Sequence, residues 1–165
     1  MKPSIKVMLL VIVVLGFSTA VVCAQNNKSD AAKTPVSLKN GGVYKFSANY
    51  AYPLSGRSKY LNPTYDVVFS KDTLDGHLPY FGTATSVPYG SNDGGVNFQT
   101  SSFTFEESAG KKESYKIHYK IKEGNDVSDA TFTIYKDGTA DLLLTFLRRQ
   151  SISYRGNVLN MKPKG

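Results

Sequence analysis

Thiols, indoles and imidazoles are scarce in this chain: one cysteine (Cys23), no tryptophan, and two histidines, His77 and His118. A lone thiol excludes an internal disulfide and any cysteine-based metal centre. The histidines form no His-x-His, HExxH or histidine–carboxylate spacing, so no structural metal and no cofactor is expected. The one feature of that kind is a loosely held cation at Asp93, among glycines. Nucleophile motifs are missing too, since Gly90-Ser91-Asn92-Asp93-Gly94 misplaces the serine of a nucleophile elbow. Glu106 and Glu107 are chain neighbours that would face opposite sides of a strand, which does not suit paired-carboxylate chemistry. They read as part of a solvated loop, and Gly94-Gly95 reads as a turn rather than a phosphate loop. No catalytic residue is assigned, and an enzyme is not the expected class. Basic residues are scattered rather than gathered in a stripe, which excludes a nucleic-acid face.

The first 24 residues carry a different message. Lys2 and Lys6 precede an apolar run from Val7 to Val22, and Val22-Cys23-Ala24 then offers small residues to a signal peptidase. That order is the layout of a secretory signal, with cleavage after Ala24. The run is shorter than the roughly 20 residues a membrane-spanning helix needs. Lipidation at Cys23, giving an outer-membrane lipoprotein, is the rival reading; Val22 before it is a poor fit, because that position favours Gly, Ala or Ser. The expected location is the periplasm or the outside of the cell, with no transmembrane segment left after cleavage. Removing 24 residues from 165 leaves 141, the size of one domain. Eighteen basic against thirteen acidic side chains then remain, a net charge of +5.

Residues 25–33 are polar and small and read as a flexible leader, followed by one β-rich domain over 34–160. Thr34-Pro35 as cap and first turn, with Gly41 as the exit, predicts a short helical element. From Val43 onward the period is two. Tyr44, Phe46, Ala48, Tyr50 and Tyr52 are expected on one face, and Tyr65, Val67 and Phe69 on another. Tyr115, Ile117, Tyr119 and Ile121 alternate with Ser114, Lys116, His118 and Lys120, which places His118 on a solvated face. Phe132 and Ile134 lead into Asp137-Gly138, the dipeptide of a type I′ hairpin, and then Ala140, Leu142, Leu144 and Phe146. Leu143 and Leu147 lie opposite, so both sides of that strand are expected to be covered. Ile152 and Tyr154 mark a final strand. Val96 and Phe98 are even-numbered but Phe103 and Phe105 odd, which predicts a bulge or break near Thr100–Ser102. His77 is expected in a turn after Gly76. The fold class is mainly β: a single antiparallel barrel-like or sandwich domain of seven to nine strands with a short N-terminal helical element.

Seven of eleven tyrosines fall between residues 44 and 95, interleaved with Pro and Gly. Stiff loops carrying tyrosine recognise surfaces at little entropy cost. The candidate ligand-binding set is Tyr50, Tyr52, Arg57, Tyr60, Tyr80, Tyr89 and Asp93, with Arg57 offering a fork for a carboxylate or phosphate. The plain alternative for each tyrosine is a ring in the core and a hydroxyl on a backbone carbonyl.

The segments YAYPLSGRSKYL (Tyr50–Leu61), YDVVFSKDT (Tyr65–Thr73), LPYFGTATSVPYG (Leu78–Gly90), DGGVNF (Asp93–Phe98) and RRQSISYRG (Arg148–Gly156) occur in order. Together they resemble the exported Bacteroidetes family known as domain of unknown function 4251, over about Val36 to Asn157. The resemblance implies a compact, mostly β, exported domain and no particular activity. Asp75-Gly76-His77 departs from the apolar run that this family usually places before LPYFG.

These observations favour a noncatalytic binding protein for a glycan, a peptide or a small apolar molecule, acting as a monomer. A cell-envelope structural or assembly factor, binding protein partners across an exposed strand edge, is the alternative. A hydrolase whose groups converge only in space, such as Asp66, His77 and Asp93, is the second alternative.

Overall fold

The computed structural model describes residues 37–82, 95–111, 113–122 and 126–161. The expected signal segment, the expected leader and residues 34–36 of the expected helix lie outside them. Alternating apolar residues build ten strands: β1 (Val43–Pro53), β2 (Lys59–Tyr60), β3 (Asp66–Phe69), β4 (Leu74–Pro79), β5 (Gly95–Thr100), β6 (Phe103–Ala109), β7 (Tyr115–Ile121), β8 (Val127–Ile134), β9 (Thr139–Phe146) and β10 (Ile152–Met161). The sheet runs β5-β4-β3-β1-β10-β9-β8-β7-β6, with β2 pairing β1 off this path. Every pairing is antiparallel. The nine strands of the path form a nearly closed barrel, and its two free rims belong to β5 and β6. No helix occurs among the described residues.

Inward side chains fill the barrel. Phe69 and Phe132 stack with centroids 4.3 Å apart, while Phe46 and Tyr119 meet Phe132 edge-on at 5.9 and 6.1 Å. Phe46, Phe69, Phe132, Tyr119, Tyr154, Leu142 and Leu144 are fully buried. Each ring or branched chain of this kind contributes roughly 1.5–3 kcal/mol relative to exposure. The two deepest tyrosines satisfy their hydroxyls on backbone: Tyr119 donates to the Ser70 carbonyl and Tyr154 to the Pro79 carbonyl, both at 2.8 Å.

Several expectations are corrected. Leu38–Gly41 forms a turn instead of a helix, closed by the Gly41 N–H on the Leu38 carbonyl at 2.9 Å, with Gly41 at φ +77°. So few residues give a helix no room to propagate. Tyr50 and Tyr52 do not share the face of Tyr44, Phe46 and Ala48, because β1 carries a bulge between Ala48 and Tyr50. The extra residue, Asn49, reverses the parity, so Ala51 turns inward and the two tyrosines turn out. Gly156 lies opposite Ala48 in the register, where β1 and β10 approach so closely that a Cβ would overlap the Ser47 carbonyl.

The Asp137-Gly138 hairpin is not type I′. Among the described residues Glu113 is the non-glycine with positive φ, so only the glycine of the pair occupies the left-handed region, at φ +82°. Tyr135 N–H reaches the Thr139 carbonyl and Gly138 N–H the Tyr135 carbonyl, which makes a three-residue loop with glycine at its end. Asp137 accepts from both the backbone and the hydroxyl of Thr139, and these bonds hold its carboxyl below the usual range. His77 and Gly76 lie inside β4 rather than in a turn, and Phe98 packs over Gly76 where a side chain would be. Leu143 and Leu147 are exposed, so the outer side of β9 is uncovered. The parity switch after Phe98 is a corner: Thr100 closes β5, Phe103 opens β6, and the Ser102 N–H turns back onto the Thr100 hydroxyl at 3.0 Å.

Candidate functional site

Because of the bulge, β1 presents Tyr50 and Tyr52 on the outside of the barrel. β2 returns beside it, pairing Tyr60 with Tyr50. Tyr50 and Tyr52 are each 42% exposed, and Tyr60 and nearby Leu54 72%. The Tyr50 and Tyr60 rings lie 5.4 Å apart at 74°, those of Tyr50 and Tyr52 6.4 Å apart at 35°. The three rings therefore form a faceted cluster and not a flat plane.

The sheet register extends this cluster. Across β10, Tyr50 faces Arg155 and Tyr52 faces Ser153; across β9, those residues face Asp141 and the exposed Leu143. Asp141 anchors the row: it pairs with Arg155 Nε at 3.3 Å and accepts the Tyr135 hydroxyl at 2.8 Å. That hydrogen bond pushes the Tyr135 phenol up from its ordinary value. The result is an outer face of three tyrosines, a leucine and an oriented guanidinium.

Other expected site residues separate from this face. Arg57 is exposed in the β1–β2 connection, after Gly56 at φ +108°, and has no ion pair among the described residues. Tyr80 stands apart from the outer tyrosine face. It is half-buried, donates to the Gln150 carbonyl at 2.9 Å and meets Phe146 edge-on at 5.5 Å. Burial raises its phenol despite the neighbouring Arg149. Tyr89 and Asp93 lie outside the described residues.

Of the groups named for hydrolysis, Asp66 and His77 lie opposite one another across β3 and β4, and Asp93 lies outside the described residues. Asp66 is ion-paired with Lys45, while His77 contacts Asn97 and stacks on Tyr65 at 5.6 Å. His118 remains on the outer face, with Nδ1 2.9 Å from the Thr131 hydroxyl and Nε2 3.4 Å from Asp129. Among the described residues, no three His, Cys, Asp or Glu side chains are grouped to hold a metal ion.

Two clusters have no clear signal in the sequence. Arg149 lies over Tyr80 and Phe146, with Nε 2.6 Å from Asp126 and Nη1 donating to the Gly95 carbonyl at 3.2 Å. Arg149, Phe146, Asp126 and Gly95 border a cavity of about 160 Å³ that Val96 and Phe98 also line. Its charges are already matched, so it offers a ligand little electrostatic gain. At one end of the barrel Glu107 belongs to β6 rather than a solvated loop, and accepts the Leu38 N–H at 2.7 Å. Burial, followed by the hydrogen bond to Glu107, raises the Tyr115 phenol. Both clusters depend on partners roughly 50 to 70 positions away in the chain, beyond the reach of local pattern.

The family model described as Domain of unknown function (DUF4251) matches residues 25–158. The crystal structure of a DUF4251 family protein from Bacteroides eggerthii DSM 20697 superposes with a TM-score of 0.54 at 17% identity, covering 71% of this chain and 78% of that one. No curated protein matches the chain.

Proposed function

The chain belongs to the DUF4251 family, and from that premise we propose that it is an exported, noncatalytic binding domain whose outer tyrosine face docks a protein partner in the cell envelope. The observation that carries this reading is the exposed cluster of Tyr50, Tyr52 and Tyr60, continued by Leu143 and Arg155. Tyrosine and arginine are the residues on which protein interfaces concentrate their binding energy. Interplanar angles of 35° and 74° suit interlocking side chains better than successive sugar rings, which stack on coplanar platforms. A small apolar ligand is disfavoured because the barrel interior is filled by Phe46, Phe69, Phe132 and Tyr119. The lysine-flanked apolar start supports export.

Photo-crosslinking in the producing bacterium tests the reading. A crosslinker at Tyr52 is expected to trap one protein species, and the same crosslinker at Asp75 on β4 none. Serine at positions 50 and 60 should remove that adduct. A glycan that binds the native chain but not the serine variant would replace the protein reading.

A further inference from the structure

β5 and β6 follow one another in the chain, yet each forms a free rim of the sheet, so the barrel has a seam where they fail to pair. The rims are unequal. On β5, the Gly95 carbonyl already accepts from Arg149. On β6, the register and its flanking bonds show which groups are spent. Lys122 N–H donates to the Ser102 carbonyl at 3.0 Å, and Gly110 N–H to the Ser114 carbonyl at 2.7 Å. Even-numbered residues therefore exchange hydrogen bonds with β7. The N–H and C=O groups of Phe103, Phe105, Glu107 and Ala109 point to the seam, where no described backbone group meets them.

Side chains along the same strand add two independent signs. Phe103 and Phe105 face inward against Tyr119, at 5.0 and 5.9 Å, but remain half-exposed at the seam. Glu106 faces outward with no cation paired to it among the described residues, and its cross-strand neighbour His118 is engaged by Thr131 and Asp129. Unpaired strand groups beside apolar rings are a template for an added strand.

We propose that β6 is a docking edge for an extended segment of another protein, with apolar residues at alternate positions to cover Phe103 and Phe105 and a lysine or arginine between them to meet Glu106. This surface is separate from the tyrosine face, so either can fail without the other.

The probe is a seven-residue peptide, Val-Thr-Val-Lys-Val-Thr-Val, titrated into the full mature chain and followed by NMR amide exchange. In the free protein, the amides of Phe103, Phe105, Glu107 and Ala109 should exchange freely while those of Thr104, Glu106 and Ser108 are protected. The peptide should slow the first set at least about tenfold and leave Tyr50, Tyr52 and Tyr60 unperturbed. Replacing its lysine by glutamate should weaken binding about threefold, and Glu106→Lys should reverse that preference on a surface position that leaves the core intact. Slow exchange of the odd-numbered amides in the free chain would show the seam already closed and overturn the proposal. So would indifference to N-methylation of the peptide, or no binding at millimolar concentration.

Discussion

Tyrosine does opposite work in two regions of this barrel. Inside, Tyr119 and Tyr154 are fully buried and end on backbone carbonyls, so the ring fills volume while the hydroxyl satisfies a carbonyl from another strand or turn. On the outer face of β1 and β2, Tyr50 meets the rings of both Tyr52 and Tyr60, and all three stay exposed. Residue type is the same; what differs is strand parity. One extra residue, Asn49, separates a stretch of β1 that builds the core from a stretch that builds a surface. The comparison teaches that tyrosine content by itself does not tell a core position from a surface one, whereas strand parity followed across a bulge does.

The contrast sharpens most under truncation of an inner ring. Tyr119→Ala should cost about 4 kcal/mol, read from urea denaturation, because a buried aromatic and its bond to Ser70 disappear together. Gly156→Ala attacks the device that separates the regions. The added methyl meets the Ser47 carbonyl, so β1 and β10 must part at the bulge, and a loss of about 3 kcal/mol is expected. Altered tyrosine quantum yield would report that the outer rings have moved as well.

Smaller is Tyr154→Phe, which leaves the Pro79 carbonyl without its donor and should cost about 1 kcal/mol at neutral pH. This deficit should depend on pH. Burial raises the Tyr154 phenol above the ordinary value, so the folded chain keeps the proton that the unfolded chain releases near about pH 10. Stability is intact below that pH and falls above it. The phenylalanine variant lacks this titration, and its deficit should narrow in alkaline solution. Least affected is folding after Tyr50→Ala, Tyr52→Ala or Tyr60→Ala, each expected within about 0.5 kcal/mol. A loss above about 2 kcal/mol for Tyr60→Ala would erase the distinction between the regions.

Alternation made most of the barrel legible. Ile117, Tyr119 and Ile121 turn inward while Lys116 and Lys120 stay exposed, and the corner at Ser101–Ser102 follows the parity switch between Phe98 and Phe103. Ser114, read with the polar face, is instead buried in the β6–β7 turn, its hydroxyl on the Lys111 carbonyl. The bulge was illegible because Tyr44 to Tyr52 alternate without a break in the sequence. Its cause lies in distant partners: Leu61, whose N–H reaches the Asn49 carbonyl, and Gly156 across β10. Tyr50, Tyr52 and Tyr60 come together, but outside the barrel, and Tyr80 belongs to the packing around Arg149 and Phe146. Asp-Gly at 137–138 announced a hairpin, but the dipeptide cannot distinguish a two-residue loop from a three-residue one.

The position of the serine corner at 101–102 has a topological consequence. Since the two unmatched staves are consecutive along the chain, a visiting stave can slot between them or withdraw without threading through a loop or dismantling any existing ladder. Occupancy of that gap is thus separable from folding, and the cylinder can remain intact whether the slot is filled or vacant.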